Sequence, residues 1–358
     1  MKINYPLASS SWDNKEIEAI QSVIDSEMFT MSKHVKEYEE KFADKFDSKY
    51  CVMVNSGSSA NLLMIAALFF KKHNPLKEGD EIIVPSVSWS TTYAPLQQYG
   101  LKVKFVDVCS ETLNLDLNKF NEALSSKTKA VLLVNILGNC NNFEEIQDIV
   151  DQKNSDIYLL EDNAESMGAE FKKIKAGSFG LMGTFSSFFS HHISTMEGGC
   201  IITNDIEIYH ILLSLRAHGW TRNLPKKNEL TGIKEDDAFS ESFKFVLPGY
   251  NLRPLEMSGA IGKEQLEKLD VLVAGRRKNA KYFQKKMRTL QSVSIQKETG
   301  KSSWFGFSII VNNCANYDRD KLLKHLDKNG IEYRPIVTGN FLKNIELLNH
   351  FDYEIHGE

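Results

Sequence analysis

Apolar and polar positions along the chain follow two alternating rhythms. Short β-branched runs at 50–54, 81–87, 102–108, 130–136, 157–161, 183–188 and 200–203 are bounded by polar or glycine-containing segments and predict strands. Amphipathic or wholly apolar stretches at 13–26, 33–46, 58–72, 90–99, 117–124 and 142–152 predict the helices between them. Such alternation is that of an α/β protein with a mostly parallel sheet. After Pro254 the texture changes. A charged helical tract runs from about Glu256 to Leu290, with a break expected near Asp270, and a strand pair at 293–296 and 304–311 follows. This pattern divides the chain near residue 260 into a large domain (1–260) and a smaller α+β domain (261–358).

Bulk properties narrow the class. The 358 residues are 42% hydrophobic and 25% charged with a net charge of −4, the profile of a globular protein with ample core. Mild acidity gives no reason to expect nucleic acid or an anionic membrane as a partner. The longest apolar stretch, 60–70, is interrupted by Asn61 and followed by Lys71 and Lys72, so it reads as a buried helix rather than a membrane span. The N-terminus carries no apolar signal core, and a cytoplasmic location is expected. Five cysteines (Cys51, Cys109, Cys140, Cys200, Cys314) are dispersed, with no CxxC pair. That spacing points away from a disulfide framework, a structural metal or an iron–sulfur cluster.

Several segments carry candidate chemistry. NSGSSAN (55–61) lies between a predicted strand and an apolar helix. Gly57 permits close backbone approach, and Ser58 stands where N–H groups and the helix dipole favour an anion. Ser58 and Ser59 equally suit a plain helix cap. In LLEDNAESMGA (159–169), Asp162 falls at the carboxyl end of a predicted strand, the edge where parallel sheets bind ligands. An Asx-turn is its commoner fate. SSFFSHHISTMEGG (186–199) holds adjacent histidines, His191 and His192, and an imidazole moves protons near neutral pH. His218 and Arg222 in AHGWTRN, and Arg334 in YRPIVTGN, are candidates for diphosphate or carboxylate recognition.

Together these segments resemble the DegT/DnrJ/EryC1/StrS family of sugar aminotransferases, from INYPLASSSWD near the start to YRPIVTGNF near the end. The resemblance implies a pyridoxal phosphate (PLP)-dependent transferase of fold type I, like aspartate aminotransferase. It places Gly57, Ser58 and Ser186 at the cofactor phosphate, Asp162 at the ring nitrogen, Trp89 on the ring face and Glu165 near the ring hydroxyl. Asn251, in LPGYNLRPLE, takes the position that reaches the partner's phosphate, which implies a homodimer with shared sites. Family members hold the cofactor through a lysine five residues after the phosphate serine; here that residue is His191. Imidazole is not a primary amine and cannot take over that bond. Histidine-bearing branches of the family are sugar 3-dehydrases that use pyridoxamine phosphate (PMP) and L-glutamate as amino donor. One acts on GDP-linked 4-keto-6-deoxymannose without a metal; the other acts on a CDP-linked sugar and carries an iron–sulfur cluster. The dispersed cysteines favour the GDP type, with the CDP type and a non-catalytic homologue as alternatives. Relatives usually continue beyond HFDYEIHGE, so contacts from such a segment are not expected here.

Overall fold

The computed structural model describes residues 3–153, 156–312 and 318–357. Two helices open the chain, α1 (Asn14–Ser26) and α2 (Lys33–Lys45). Asp13 and Glu16 form a reciprocal capping box that starts α1. The alternating unit follows as β1 (Tyr50–Val54), α3 (Gly57–Phe69), β2 (Glu81–Pro85), α4 (Ser90–Gln98), β3 (Lys102–Val106), α5 (Leu117–Ala123), β4 (Thr128–Val134), α6 (Phe143–Lys153) and β5 (Tyr158–Asp162). Strands β6 (Met182–Ser186) and β7 (Gly199–Thr203) come next, then helices α7 (Ile206–Arg216) and α8 (Glu256–Met287). Helix α9 (Arg319–Lys328) and strand β8 (Asp352–His356) close the described chain.

All eight labelled strands form one sheet in the order β1-β7-β6-β5-β4-β2-β3-β8. Only β7 runs against the others, pairing antiparallel with both β1 and β6. Helices cover both faces, which is why the strands read as nearly continuous apolar runs. On one face α3, α4 and α7 pack through Leu63, Met64, Tyr93, Leu96, Ile211 and Leu212. On the other, α5 and α6 contribute Phe120, Ile146 and Val150. A third cluster, with Tyr38, Phe42, Leu266 and Leu269, joins α2 and α8 to the β1 and β7 end of the sheet. Among the described residues, no helix is long and apolar enough to cross a membrane.

Two expectations need correction. No break occurs near Asp270: α8 is one helix of 32 residues. Leu266, Leu269, Val273 and Ala280 keep an apolar stripe buried along it, and Asp270 is satisfied across the stripe by Lys45 at 2.6 Å. Residue 260 lies in the second turn of this helix, within the tract where the division is expected. Of the run at 304–311, only Ile310–Val311 is strand, paired with Val293–Ser294. The carbonyls of Trp304 and Phe305 are taken by Arg276 instead of a neighbouring strand. Helices α7 and α9 and strand β8 were not foreseen, and Cys314 lies outside the described residues.

Candidate active site

Strand β5 delivers Asp162 to the carboxyl edge of the sheet, 4% exposed. Its Oδ2 accepts from the Asn61 side-chain amide and from the Thr92 hydroxyl, each at 2.8 Å, and its Oδ1 accepts from the Ala164 backbone N–H at 3.0 Å. Asn61 is itself held by Thr184, whose hydroxyl donates to its side-chain oxygen at 2.6 Å. Three elements thus aim one carboxylate: α3, α4 and β6. Neither Asn61 nor Thr92 was singled out from sequence for this role. The signal available was Asn61 itself, a lone amide in an apolar helix, which requires a buried polar partner.

At the start of α3, Gly57 lies against Ser186. A Cβ on Gly57 would sit 2.6 Å from the Ser186 Cβ, so only glycine lets the two segments meet. The helix cap is Ser56, whose hydroxyl accepts from Ser59 N–H. Ser58 is therefore not the cap. It is exposed and shares a 2.8 Å hydrogen bond with Thr91 at the start of α4. Ser58 and Ser186 bring hydroxyl groups to the helix N-terminus at Gly57, an arrangement that suits an anion.

His191 follows β6 on a bent segment, its N–H donating to Phe188 C=O at 2.9 Å. The edge-to-face rings of Phe188 (5.9 Å) and Phe305 (5.0 Å) flank its imidazole. Nδ1 is buried with no hydrogen-bond partner. Burial pushes the imidazole down to about 4, and the Arg334 and Arg276 charges push the same way against opposing backbone groups of Ala164 and Ser186. His192 is fully enclosed, with Nε2 3.2 Å from Ser303 C=O and its basicity lowered by burial.

Glu165 turns its Oε2 to the Leu137 N–H at 2.9 Å and its Oε1 to Arg334 at 3.3 Å. Burial raises its carboxyl to about 7; the Leu137 N–H and the Arg334 charge oppose that rise, and Asp162 adds to it. Trp89 precedes α4 and is 52% exposed, with its carbonyl accepting from Thr92 N–H. Gly57, Ser58, Asp162, Ser186, Glu165, His191 and Arg334 are thus linked through direct or shared contacts.

His218, Arg222 and Asn251 stand apart. Arg222 stacks on Trp220 at 4.1 Å, His218 meets the same ring edge-on at 5.0 Å, and Asn251 accepts from Arg253, which also faces Trp220. Among the described residues, no hydrogen bond, ion pair or ring contact joins this cluster to Asp162 or His191. Phe305 was missed by sequence reading, and no local signal marks it.

The sequence profile described as the DegT/DnrJ/EryC1/StrS aminotransferase family matches residues 10–345. A GDP-4-keto-6-deoxy-D-mannose 3-dehydratase of Escherichia coli O55:H7 is 65% identical over 354 residues, covering 99% of this chain and 91% of the relative. The solved structure of an E. coli GDP-4-keto-6-deoxy-D-mannose-3-dehydratase with bound hydrated PLP superposes with a TM-score of 0.98 at 64% identity, covering 100% of this chain and 92% of that one. A structure of a GDP-4-keto-6-deoxymannose-3-dehydratase with a trapped PLP-glutamate geminal diamine gives 0.97 at 64% identity, covering 99% and 92%.

Proposed function

The chain belongs to the DegT/DnrJ/EryC1/StrS aminotransferase family, and from that premise we propose that it is a PLP-dependent GDP-4-keto-6-deoxy-D-mannose 3-dehydratase. The observation that carries this reading is His191: a neutral imidazole with a free, buried Nδ1 stands five residues after Ser186, the spacing at which lysine-bearing members of the family hold the cofactor. Its neighbours Ser190 and His192 are not lysines either.

The residues present fit the cofactor. The contact between Gly57 and Ser186 and the exposed Ser58 hydroxyl, paired with Thr91, suit its phosphate. Asp162, oriented by Asn61 and Thr92, offers an acceptor for a ring N–H. Trp89 presents an exposed face for stacking, and Glu165 is an acid close by. When bound, the cofactor supplies an amine for the sugar ketone and an electron-accepting ring. His191 takes and returns the proton at Nδ1 or Nε2, and the ring edges of Phe188 and Phe305 keep water from it. Arg334 holds Glu165 and offers its remaining N–H donors to an anionic substrate group. Atoms balance overall: glutamate becomes 2-oxoglutarate and ammonia, supplying two electrons, and the sugar loses its C3 oxygen.

The Trp220 cluster supports a shared site. Among the described residues, His218, Arg222 and Asn251 make no hydrogen bond, ion pair or ring contact with Asp162 or His191, and exposed Phe239, Phe243 and Phe245 lie in the same region of sequence. In this reading a second copy covers these aromatics and receives the cluster's polar groups at its own phosphate and diphosphate. The test of the reaction is mass spectrometry of products from GDP- and CDP-linked 4-keto-6-deoxy sugars with PLP and glutamate. A product one oxygen lighter from the GDP sugar is expected, with equimolar 2-oxoglutarate. An amino sugar, or turnover of the CDP sugar alone, overturns the proposal.

A further inference from the structure

A closed circuit of contacts runs around His191. Glu165 accepts from Leu137 N–H, Leu137 C=O accepts from Phe305 N–H at 2.9 Å, and the Phe305 ring lies under the Arg334 guanidinium at 5.6 Å. Arg334 returns to Glu165. The same phenyl ring meets His191 at 5.0 Å and His192 at 5.7 Å. One side chain therefore touches both histidines and the arginine.

Its seat is built from distant parts of the chain. Arg276 on α8 donates to the carbonyls of Trp304 (3.2 Å) and Phe305 (3.0 Å), and Arg277 donates to Ser302 (2.8 Å) and Gly168 (2.9 Å). Ser303 N–H and the Ser302 hydroxyl both reach Gly138 C=O. Trp304 and Leu137 both adopt left-handed backbone, with φ of 50° and 53°. Each such residue costs about 1–3 kcal/mol and persists only where its surroundings over-determine it. At Gly138, a Cβ would come within 2.6 Å of Trp304 N, so the two segments meet backbone to backbone. So much fixation for a single half-buried phenylalanine calls for a reason.

We infer that Phe305 is a positioning residue for proton transfer: clamped by Arg276 and Leu137, its ring sets the imidazole of His191 and holds Arg334 against Glu165. This rests on the proposed role of His191. The charged and titratable groups facing His191 are Arg334, Arg276 and His192, and those facing Glu165 are Arg334 and Asp162. Burial is the largest influence on His191, so removing the ring admits water and raises the imidazole's basicity even though the guanidinium is freed.

The test is histidine NMR titration of the cofactor-free full chain, with His191 assigned by difference from His191→Asn, together with kinetics of the loaded enzyme. Phe305→Leu should move the His191 midpoint upward by about one unit or more. It should also lower kcat about tenfold or more with KM changed much less. Phe305→Tyr, which keeps the ring, should restore both. Arg276→Lys, which keeps the charge facing His191 and leaves the ring but loosens its seat, should shift the midpoint the same way by less, and it carries the test if Phe305→Leu does not fold. An unmoved midpoint in the folded variants overturns the inference. The titration needs neither cofactor nor sugar, so a wrong substrate assignment would fail the mass-spectrometry test and leave this one intact.

Discussion

The His191 imidazole makes its own contribution to how this site responds to pH. An unfolded histidine titrates near 6.5, whereas burial brings His191 down to about 4. Between those values the unfolded chain binds more protons than the folded one, so stability falls as the pH drops from about 6.5 to about 4. Most of that loss is complete by about pH 5, where His191 alone contributes about 2 kcal/mol. Replacing it with asparagine removes the contribution. Urea unfolding of cofactor-free protein at about pH 7.5 and 5 should show His191→Asn losing about 2 kcal/mol less than the parent. Equal losses in both proteins would mean that His191 is hydrated, not buried. Spacing after Ser186 singled this residue out, but its basicity is set by Phe188, Phe305 and Arg334, two of them more than a hundred residues away.

Helix α2 is finished by a group from elsewhere in the chain. Ser32 precedes α2 yet makes no side-chain cap. Instead Glu256, buried at the start of α8, accepts from the N–H groups of Ser32 (2.6 Å), His34 (2.5 Å) and Val35 (3.3 Å). A carboxylate there also opposes the positive end of the α2 dipole. Glu256→Ala leaves three donors without their acceptor and should cost about 2–4 kcal/mol, with faster hydrogen exchange over residues 32–36. Glu256→Gln, which keeps one acceptor oxygen, should cost less. If both variants match the parent in urea, water replaces the cap without penalty. Periodicity located both helices to within a residue or two at their starts, while their connection through Glu256 spans more than two hundred residues and leaves no local trace.

Across the whole molecule, the separation of Asn251, His218 and Arg222 from Asp162 leads to a prediction about assembly. With shared sites, one inactive protomer rescues another. Mixing His191→Asn chains with Asn251→Ala chains during refolding or co-expression should produce hybrids with one intact site each. Equal amounts should yield about a quarter of parental activity from two nearly inactive variants. Activity no higher than the mean of the two parents would place every functional group within one chain.

Seven of the eight strands of the central sheet, the six N-terminal helices and the Ser186-to-His191 spacing follow from local pattern: each depends on neighbours within a few residues, where apolar period and turn chemistry act. Asp162 was legible too, because the carboxyl end of a parallel strand is a binding edge in any such sheet. Contacts made across the fold were not. The unbroken α8, the Arg276 clamp, the Phe305 ring against His191 and the pairing of Arg334 with Glu165 arise only when segments far apart in sequence pack together. Residue order determined which chemical groups the protein carries; burial and three-dimensional proximity decided which proton each of them can hold.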